Sequence, residues 1–249
     1  MDNEQKSNLF GLLGKNISYS FSQGYFTEKF KKLHLNNHQY VNFDIQSIDE
    51  FLSIIKNNQN LKGLNVTIPY KQDIMPLLDS INKKARYIGA VNTIKITEKG
   101  LKGYNTDCYG FKKSIKPFLK AHHKKALILG TGGASKAIAF TLDELGIPYK
   151  FVSRTASENK TAYNFLNEHI IKTHQIIINC TPLGTFPNIE NKPNIPYKYI
   201  GSEHLLYDLI YNPAETAFLK HGRLQGAKTC NGLSMLELQA EKAWKIWNS

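Results

Sequence analysis

A glycine-rich turn in the middle of the chain constrains the fold more than any other feature of the sequence. It follows the apolar run 125–130 and leads into a helix-like stretch around Ala137. Its small residues leave the backbone accessible: Gly130, Thr131, Gly132, Gly133 and Ala134. Between a strand and a helix, such a turn lets backbone N–H groups approach a pyrophosphate. Although its spacing departs from strict G-x-G-x-x-G, and an ordinary tight turn is the alternative, it predicts a Rossmann-like dinucleotide-binding domain.

The end of the next predicted strand indicates which dinucleotide is bound. The run 150–153 closes with Ser153 and is followed by Arg154 and Thr155. NAD sites usually present Asp or Glu near this position to the ribose hydroxyls. The guanidinium of Arg154 can instead pair with a 2′-phosphate, which predicts NADP rather than NAD.

Apolar runs alternate with helix-like stretches along the 249 residues, which is typical of an α/β fold with largely parallel sheets. The predicted strands are 9–13, 40–43, 63–67, 90–96, 101–104, 125–130, 150–153, 175–179, 205–210 and 227–230. The predicted helices are 22–33, one capped by Ser47 and running to Lys56, 107–120 and 232–247.

The length of the chain favours two domains. We expect residues 1–107 to form the first and residues 108–231 the second. The helix from Gly232 carries an apolar stripe that ends in Trp244 and Trp247 and needs a surface to cover it. We therefore expect 232–249 to complete the first domain.

Composition narrows the class of protein and its location. No window holds the roughly 18 successive apolar residues that a membrane span requires. Met1–Lys6 lack the layout of a secretory signal. Cys108, Cys180 and Cys230 are widely spaced, which argues against a disulfide framework and a metal site. We expect a cytoplasmic protein without a metal.

The formal net charge of +12 raises the question of nucleic acid. The cations are 29 lysines and only three arginines, dispersed along the chain. Nucleic-acid binders usually concentrate arginines and exposed aromatic residues on one surface, so we expect a small anionic ligand instead. Both a monomer and a homodimer fit the sequence.

Two other predicted strand ends carry groups that could exchange protons. Lys71 follows the strand 63–67, and Asp107 follows the strand 101–104 just before a helix. An amine and a carboxylate at neighbouring strand ends could pass protons to and from an alcohol. From the residues alone, Asp107 could equally be a helix cap and Lys71 a solvated side chain.

A series of segments, in order along the chain, resembles the motifs of the shikimate dehydrogenase family. The segments are 17–20, 65–71, 89–93, 103–107, 178–184, 207–213 and 231–240. The resemblance implies two α/β domains and the NADPH-dependent, reversible reduction of 3-dehydroshikimate to shikimate. That reaction belongs to the chorismate pathway of aromatic amino acid biosynthesis.

The resemblance also implies roles for residues at matching positions. The substrate carboxylate would be held by Ser18, Ser20 and Tyr211. The ring hydroxyls would be read by Asn65, Thr67, Asn92, Asp107 and Gln239. Lys71 would be the acid/base at the reacting oxygen, oriented by Asp107. The nicotinamide would lie against Leu209, Gly232 and Met235, and the rest of the cofactor against Gly130–Ala134 and Ser153–Thr155.

Some positions depart from the family's pattern. Ile17 and Phe21 flank the serine pair where the family usually has His and Pro, which we expect to affect loop stiffness. Ser153 replaces the usual Asn, and Glu158 lies where a second Arg is expected. A quinate/shikimate dehydrogenase relative that uses NAD, and a Rossmann-type binding protein without activity, therefore remain possible from the sequence.

Overall fold

The structure is a computed structural model that describes residues 7–18 and 20–249. Met1–Lys6, which bear on the expected location, and Tyr19, between the two serines, lie outside the described residues. The described chain divides into two compact units. The first comprises the residues up to Thr106 together with Ala240–Ser249, and the second comprises Asp107–Gln239.

The first unit is built on a mixed sheet of six strands. They are β1 (Asn8–Gly14), β2 (His38–Asp44), β3 (Leu61–Val66), β4 (Ser80–Ile81), β5 (Thr93–Thr97) and β6 (Gly100–Tyr104). Their order is β2-β1-β3-β5-β6-β4. β1 pairs in parallel with β2 and β3, whereas β5 pairs antiparallel with both β3 and β6. The helices between the strands are α1 (Phe21–Lys32), α2 (Phe51–Asn57) and α3 (Lys83–Ile88).

Strand β1 shows why this sheet is buried on both faces. Successive side chains of a strand point to opposite faces. Leu9 and Leu13 belong to one apolar cluster, whereas Phe10 and Leu12 belong to another. The second cluster also contains Trp247 from the end of the chain. Burial of each large apolar side chain contributes about 1.5–3 kcal/mol, so both faces stabilise the unit.

The second unit contains a parallel sheet of six strands. They are β7 (Ala126–Leu129), β8 (Tyr149–Ser153), β9 (Lys160–Ala162), β10 (Ile176–Asn179), β11 (Leu205–Asp208) and β12 (Lys228–Cys230). Their order is β12-β11-β10-β7-β8-β9, with parallel pairing throughout. Every residue of β7, β10 and β11 is buried, as central strands covered on both faces require.

Helices precede, separate and follow the strands of this sheet along the chain. They are α4 (Asp107–Ile115), α5 (Gly133–Glu144), α6 (Glu168–Thr173), α7 (Ala217–Leu224) and α8 (Leu233–Trp247). The expected α/β fold with parallel-rich sheets is confirmed. The carboxyl ends of β7, β8, β10 and β11 meet at one edge, where ligands bind in open α/β sheets.

Several predicted boundaries differ from the observed ones for local reasons. The strand expected over 90–96 begins at Thr93, because Gly89 caps α3 in a left-handed conformation and the chain turns before β5. The helix expected over 107–120 ends at Ile115 and becomes a 3₁₀ turn, because Pro117 cannot donate a helical hydrogen bond. Ser47 caps a 3₁₀ turn, Ile48–Glu50, that runs directly into α2.

Other properties of the described residues concern membranes and metals. None of the helices in 7–18 and 20–249 is long and apolar enough to cross a membrane. The same residues contain no cluster of three or more His, Cys, Asp or Glu side chains that could hold a metal ion. Cys108 is buried, and Cys180 and Cys230 are partly buried.

Candidate active site

The serine segment is held at the carboxyl end of β1. The carboxylate of Asp44 accepts hydrogen bonds from the N–H groups of Asn16 (2.8 Å) and Ile17 (3.1 Å). Ser20 is the N-cap of α1, and its Oγ accepts the N–H of Ser22 at 3.1 Å. A hydroxyl that accepts a bond can still donate its proton, so the Ser20 hydroxyl retains the ability to bind an anion. Ser18 is exposed.

Two buried amides form a hydrogen-bonded cluster beside β3 and β5. Asn65 Oδ1 accepts the hydroxyl of Tyr40 at 2.8 Å, and its Nδ2 lies 3.3 Å from Thr93 Oγ1. Asn92 Oδ1 accepts the N–H of Thr106 at 2.7 Å, while its Nδ2 donates to Thr106 Oγ1 at 3.0 Å. Burial raises the pKa of Tyr40, so its phenol stays protonated and remains a donor. These bonds fix the orientation of both amides.

The backbone around Lys71 brings three of the predicted residues into one part of the first unit. Thr67 follows β3, and its carbonyl oxygen accepts the N–H of Tyr70 at 3.0 Å. The carbonyl oxygen of Lys71 accepts the N–H of Val91 at 2.7 Å, immediately before Asn92. Thr67, Lys71 and Asn92 therefore share one hydrogen-bonded loop region. The Lys71 side chain is partly buried.

Asp107, Met235 and Gln239 lie on two helices of the second unit that approach each other closely. Asp107 is the buried first residue of α4. One turn later, a Cβ at Gly110 would lie 2.5 Å from the carbonyl oxygen of Met235 and 3.1 Å from Gln239 Cβ. Only glycine permits this approach of α4 to α8 without displacement. Met235 and Gln239 are 7% and 8% exposed, so both belong to the packed part of α8.

The glycine-rich turn has the geometry that a phosphate cradle requires. Gly130 has a φ of 101°, which favours glycine, and its N–H donates to the carbonyl oxygen of Val152 in β8 at 2.8 Å. Gly132 is the N-cap of α5, and a Cβ built there would meet nothing within 4 Å. The first N–H groups of α5 thus face an open approach.

The residues after β8 are exposed beside this turn. Arg154, Thr155 and Glu158 are all exposed, and Ser153 Oγ donates to the carbonyl oxygen of Thr155. The chain then reverses in a tight turn in which Ser157 and Lys160 exchange two backbone hydrogen bonds of 3.0 Å. Gly130 bonds to the residue just before Ser153, so the glycine turn and the Arg154 segment adjoin.

The segment after β11 adjoins the start of α8. The N–H of Leu209 donates to the carbonyl oxygen of Asn179 at 3.0 Å, and the N–H of Gly232 donates to that of Ile210 at 3.0 Å. A Cβ at Gly232 would overlap the carbonyl of Leu209. Glycine is therefore required where these two backbones meet. Tyr211, which follows, is partly buried.

Comparisons with known proteins identify the family. A family model described as the shikimate dehydrogenase substrate binding domain matches residues 12–94. The shikimate dehydrogenase (NADP(+)) of Methanosphaera stadtmanae is 38% identical over 261 residues, which cover 97% of this chain and 92% of that protein. This chain belongs to the shikimate dehydrogenase family.

Solved structures of shikimate dehydrogenases agree with the fold. Shikimate dehydrogenase 1 from Peptoclostridium difficile is 40% identical, with a TM-score of 0.85 over 97% of this chain and 91% of that chain. The shikimate 5-dehydrogenase from Thermus thermophilus, in complex with NADP(H) and shikimate, is 28% identical, with a TM-score of 0.85. The matched region covers 96% of this chain and 93% of the Thermus thermophilus chain. The resemblance inferred from the sequence motifs is confirmed.

One buried group of this shikimate dehydrogenase family member was not singled out from its sequence. Asp208, at the end of β11, accepts hydrogen bonds from Asn179 Nδ2 (3.0 Å), the Ile210 N–H (3.0 Å) and the Thr216 hydroxyl (2.6 Å). Burial raises the pKa of Asp208 to about 6, against the opposing effect of these bonds. Asn179 and Asp208 both lie within segments that resemble the motifs of the family, and this resemblance was the sequence signal that could have singled them out. Their burial became visible only in the fold.

Proposed function

We propose that this chain is an NADP-dependent shikimate dehydrogenase that interconverts 3-dehydroshikimate and shikimate. The observation that carries the proposal is its 38% identity, across nearly the whole chain, to a protein of that name. The two kinds of site in the molecule suit that reaction. A polar region holds an amine and two oriented amides, and a strand–glycine–helix unit suits a dinucleotide.

The substrate would be bound mainly by side chains of the first unit. Ser18 and Ser20 would hold its carboxylate with Tyr211, and the capped Ser20 hydroxyl supports this role because it can still donate. The ring hydroxyls would be read by Asn65, Thr67, Asn92, Asp107 and Gln239. Asn65 and Asn92 suit this task, since their other hydrogen bonds already fix which atom each amide presents.

Lys71 would manage the proton. NADPH, when bound, supplies a hydride to the carbonyl carbon of the substrate. The electron pair of the C=O bond moves to oxygen, and the Lys71 ammonium stabilises that oxygen and donates a proton to it. In the reverse direction the Lys71 amine accepts the proton of the alcohol. Asp107 would orient Lys71 and the substrate hydroxyl.

The dinucleotide would be held chiefly by backbone groups of the second unit. Gly130–Ala134 and the N-terminus of α5 fit a pyrophosphate, because Gly132 leaves the approach open. Ser153, Arg154 and Thr155 would bind the 2′-phosphate end. Leu209, Gly232 and Met235 would lie against the nicotinamide. In this assignment residues 1–107 with 232–249 bind substrate, and 108–231 bind NADP.

Partner, location and pathway follow from the same proposal. The partner is the small-molecule substrate, with no role in binding nucleic acid. The protein acts in the cytoplasm, in the biosynthesis of chorismate and aromatic amino acids, as a monomer or homodimer.

A four-way assay tests the function. Initial rates would be measured with shikimate and with quinate, each with NADP and with NAD. We expect shikimate with NADP to exceed every other pair in kcat/KM by roughly tenfold or more, equivalent to about 1.4 kcal/mol. A preference for quinate with NAD would contradict the proposal in favour of the quinate/shikimate relative.

Two binding measurements test functions without this activity. Tight NADPH binding without turnover of 3-dehydroshikimate would favour a Rossmann-type binding protein. Retention on duplex or single-stranded DNA that falls steeply with salt would favour a nucleic-acid binder.

A further inference from the structure

The residues around Leu209 are connected by backbone and side-chain hydrogen bonds that converge on one buried carboxylate. Leu209 donates to Asn179, and Ile210 accepts from Gly232. Asn179 and Ile210 in turn both donate to Asp208. Asp208 and Asn179 are each 0% exposed, so water cannot replace either partner.

We propose that Asp208 is a positioning residue for the nicotinamide end of the cofactor, which it acts on through the backbone of Leu209 and Ile210. The inference rests on the proposed function, in which Leu209, Gly232 and Met235 lie against the nicotinamide. It assigns to Asp208 a task in the reaction without direct contact with the cofactor or the substrate.

The two oxygens of Asp208 accept hydrogen bonds from different parts of the second unit. Oδ1 accepts both the Asn179 amide (3.0 Å) and the Ile210 N–H (3.0 Å), so it joins the end of β10 to the segment that follows β11. Oδ2 accepts the Thr216 hydroxyl at 2.6 Å, and Thr216 is the N-cap of α7. The backbone of Leu209 is therefore anchored through Oδ1, whereas Oδ2 anchors a helix.

The position of Leu209 is constrained from two sides. Its N–H is held by the Asn179 carbonyl, and its own carbonyl faces Gly232, where a Cβ would overlap it. A shift of the segment 209–210 in one direction breaks the bonds to Asn179 and Asp208. A shift in the other direction drives Leu209 into α8. Removal of Oδ1 weakens the first constraint, because only the bond from Leu209 to the Asn179 carbonyl then remains. It also leaves the Ile210 N–H without its acceptor and takes one of the two acceptors from the Asn179 amide.

An asparagine at position 208 would preserve the two hydrogen bonds to Oδ1, whereas a hydrocarbon side chain would not. An Asn oxygen can occupy the place of Oδ1 and accept both donors, while its NH₂ group faces the Thr216 hydroxyl, which can accept. The negative charge is therefore not what positions Leu209. The distinction between an acceptor atom and a charge makes the proposal testable with conservative substitutions.

The experiment compares two ligands on four proteins. The wild type, Asp208→Ala, Asp208→Leu and Asp208→Asn would be titrated with NADPH and with 2′,5′-ADP, which has the phosphorylated adenosine end but no nicotinamide. For Ala and Leu we expect the Kd of NADPH to rise roughly tenfold or more, while that of 2′,5′-ADP changes less than about threefold. Asp208→Asn should bind both ligands within about threefold of wild type.

Steady-state kinetics add a second readout. In Asp208→Ala and Asp208→Leu we expect a higher KM for NADPH and a lower kcat, with the KM for shikimate unchanged at saturating NADP. Leu is included because it fills the buried volume and protects the fold if Ala does not.

Thr216→Val is the matched control for the two oxygens. It removes the bond to Oδ2 and the cap that the Thr216 hydroxyl provides to the Leu219 N–H, but it leaves both bonds to Oδ1 in place. The variant should lose some stability from the missing cap. Its NADPH affinity should stay within about twofold of wild type.

The outcomes are distinguishable. Wild-type NADPH affinity in Asp208→Leu, or a parallel loss of 2′,5′-ADP and NADPH, would overturn the positioning role. Failure of the Asn variant to restore NADPH binding would overturn the assignment to Oδ1. If the wild type itself bound neither ligand, the proposed function would fall, and the inference with it.

Discussion

In the first unit the residues proposed to recognise the substrate act through side chains, whereas in the second unit the cofactor residues act mainly through the backbone. Asn65 and Asn92 sit in a buried network in which every hydrogen bond sets which atom they present. Gly130 is needed because its φ is positive, and Gly232 is needed because a side chain there would overlap the Leu209 carbonyl. The first unit should therefore be sensitive to changes of functional group, and the second to added volume.

The largest expected effect tests the side-chain half of this comparison. Lys71→Ala should lower kcat by roughly 10²- to 10⁴-fold, because the proton donor at the substrate oxygen is lost. The Kd of NADPH should stay nearly unchanged. Steady-state rates and fluorescence titration with NADPH measure the two quantities. Lys62→Ala, at an exposed position of β3, is the matched control. Turnover like that of wild type would remove Lys71 from the mechanism.

The next effect tests the backbone half. Gly232→Ala adds one methyl group against the Leu209 carbonyl, so the start of α8 and the segment after β11 must separate. We expect a loss of stability of about 1–3 kcal/mol from overpacking. NADPH affinity should fall by roughly tenfold, equivalent to about 1.4 kcal/mol. Thermal unfolding and NADPH titration would show both. An unchanged NADPH affinity would mean that this contact does not shape the cofactor site.

A buried charge in the second unit gives a pH-dependent prediction. The pKa of Asp208 is about 6 in the folded state against an ordinary value of 3.8, because burial disfavours the carboxylate. The unfolded state therefore loses its proton first as the pH rises. Stability should fall by about 3 kcal/mol over the whole titration of this group, at about 1.36 kcal/mol per pKa unit, and about 2 kcal/mol of that falls between pH 4 and pH 6. Asp208→Asn should lack that loss.

Denaturant unfolding of wild type and Asp208→Asn across roughly pH 4–8 measures the difference between them. The titratable groups around Asp208 are Cys180, Tyr197 and Tyr207, and burial raises the pKa of each, so they remain neutral in this range. His221 of α7 packs on the Tyr197 ring at 5.2 Å and is present in both proteins. A difference that does not vary with pH would contradict the buried-charge interpretation.

The smallest effect is a control for glycines that have no packing role. A Cβ at Gly24, in the interior of α1, would meet nothing within 4 Å. Gly24→Ala should raise stability by about 0.5–1 kcal/mol, because alanine restricts the unfolded chain and favours helix. A small upward shift in the melting temperature would show this. Destabilisation would indicate a neighbour that the structure does not place near Gly24.

The sequence predicted best those features that depend on local pattern. The runs that became β7, β10 and β11 are apolar except for a polar last residue in β10 and β11, which predicts buried strands, and the glycine turn after β7 indicates the type of domain. Short elements such as α3, α6 and β9 were not identified, because six residues or fewer give no clear periodicity. Their formation depends on the surrounding packing.

The candidate site divides in the same way. The motifs identified Lys71 and Asp107, since their chemistry can be read from residue type. The burial of Asp208 could not be predicted, because an aspartate near the end of a strand is usually solvated and only the tertiary fold buries this one. Gly110 and Gly24 look alike in the sequence, yet α8 lies against only the first. Such differences arise from residues far away in the chain.

The docking of Trp247 has a consequence for the order in which the protein can be made. Trp247 donates to the carbonyl oxygen of Ile94 at 2.9 Å and packs at tilted angles against Phe10 and Phe26, while Gly63 leaves room for its indole. A ribosome releases β1–β6 long before it releases this tryptophan. Until then one face of the first sheet is covered only in part, by α1, whereas the second unit is continuous in sequence and can fold as it emerges. The nascent first unit is thus the part of this chain that most needs protection from aggregation.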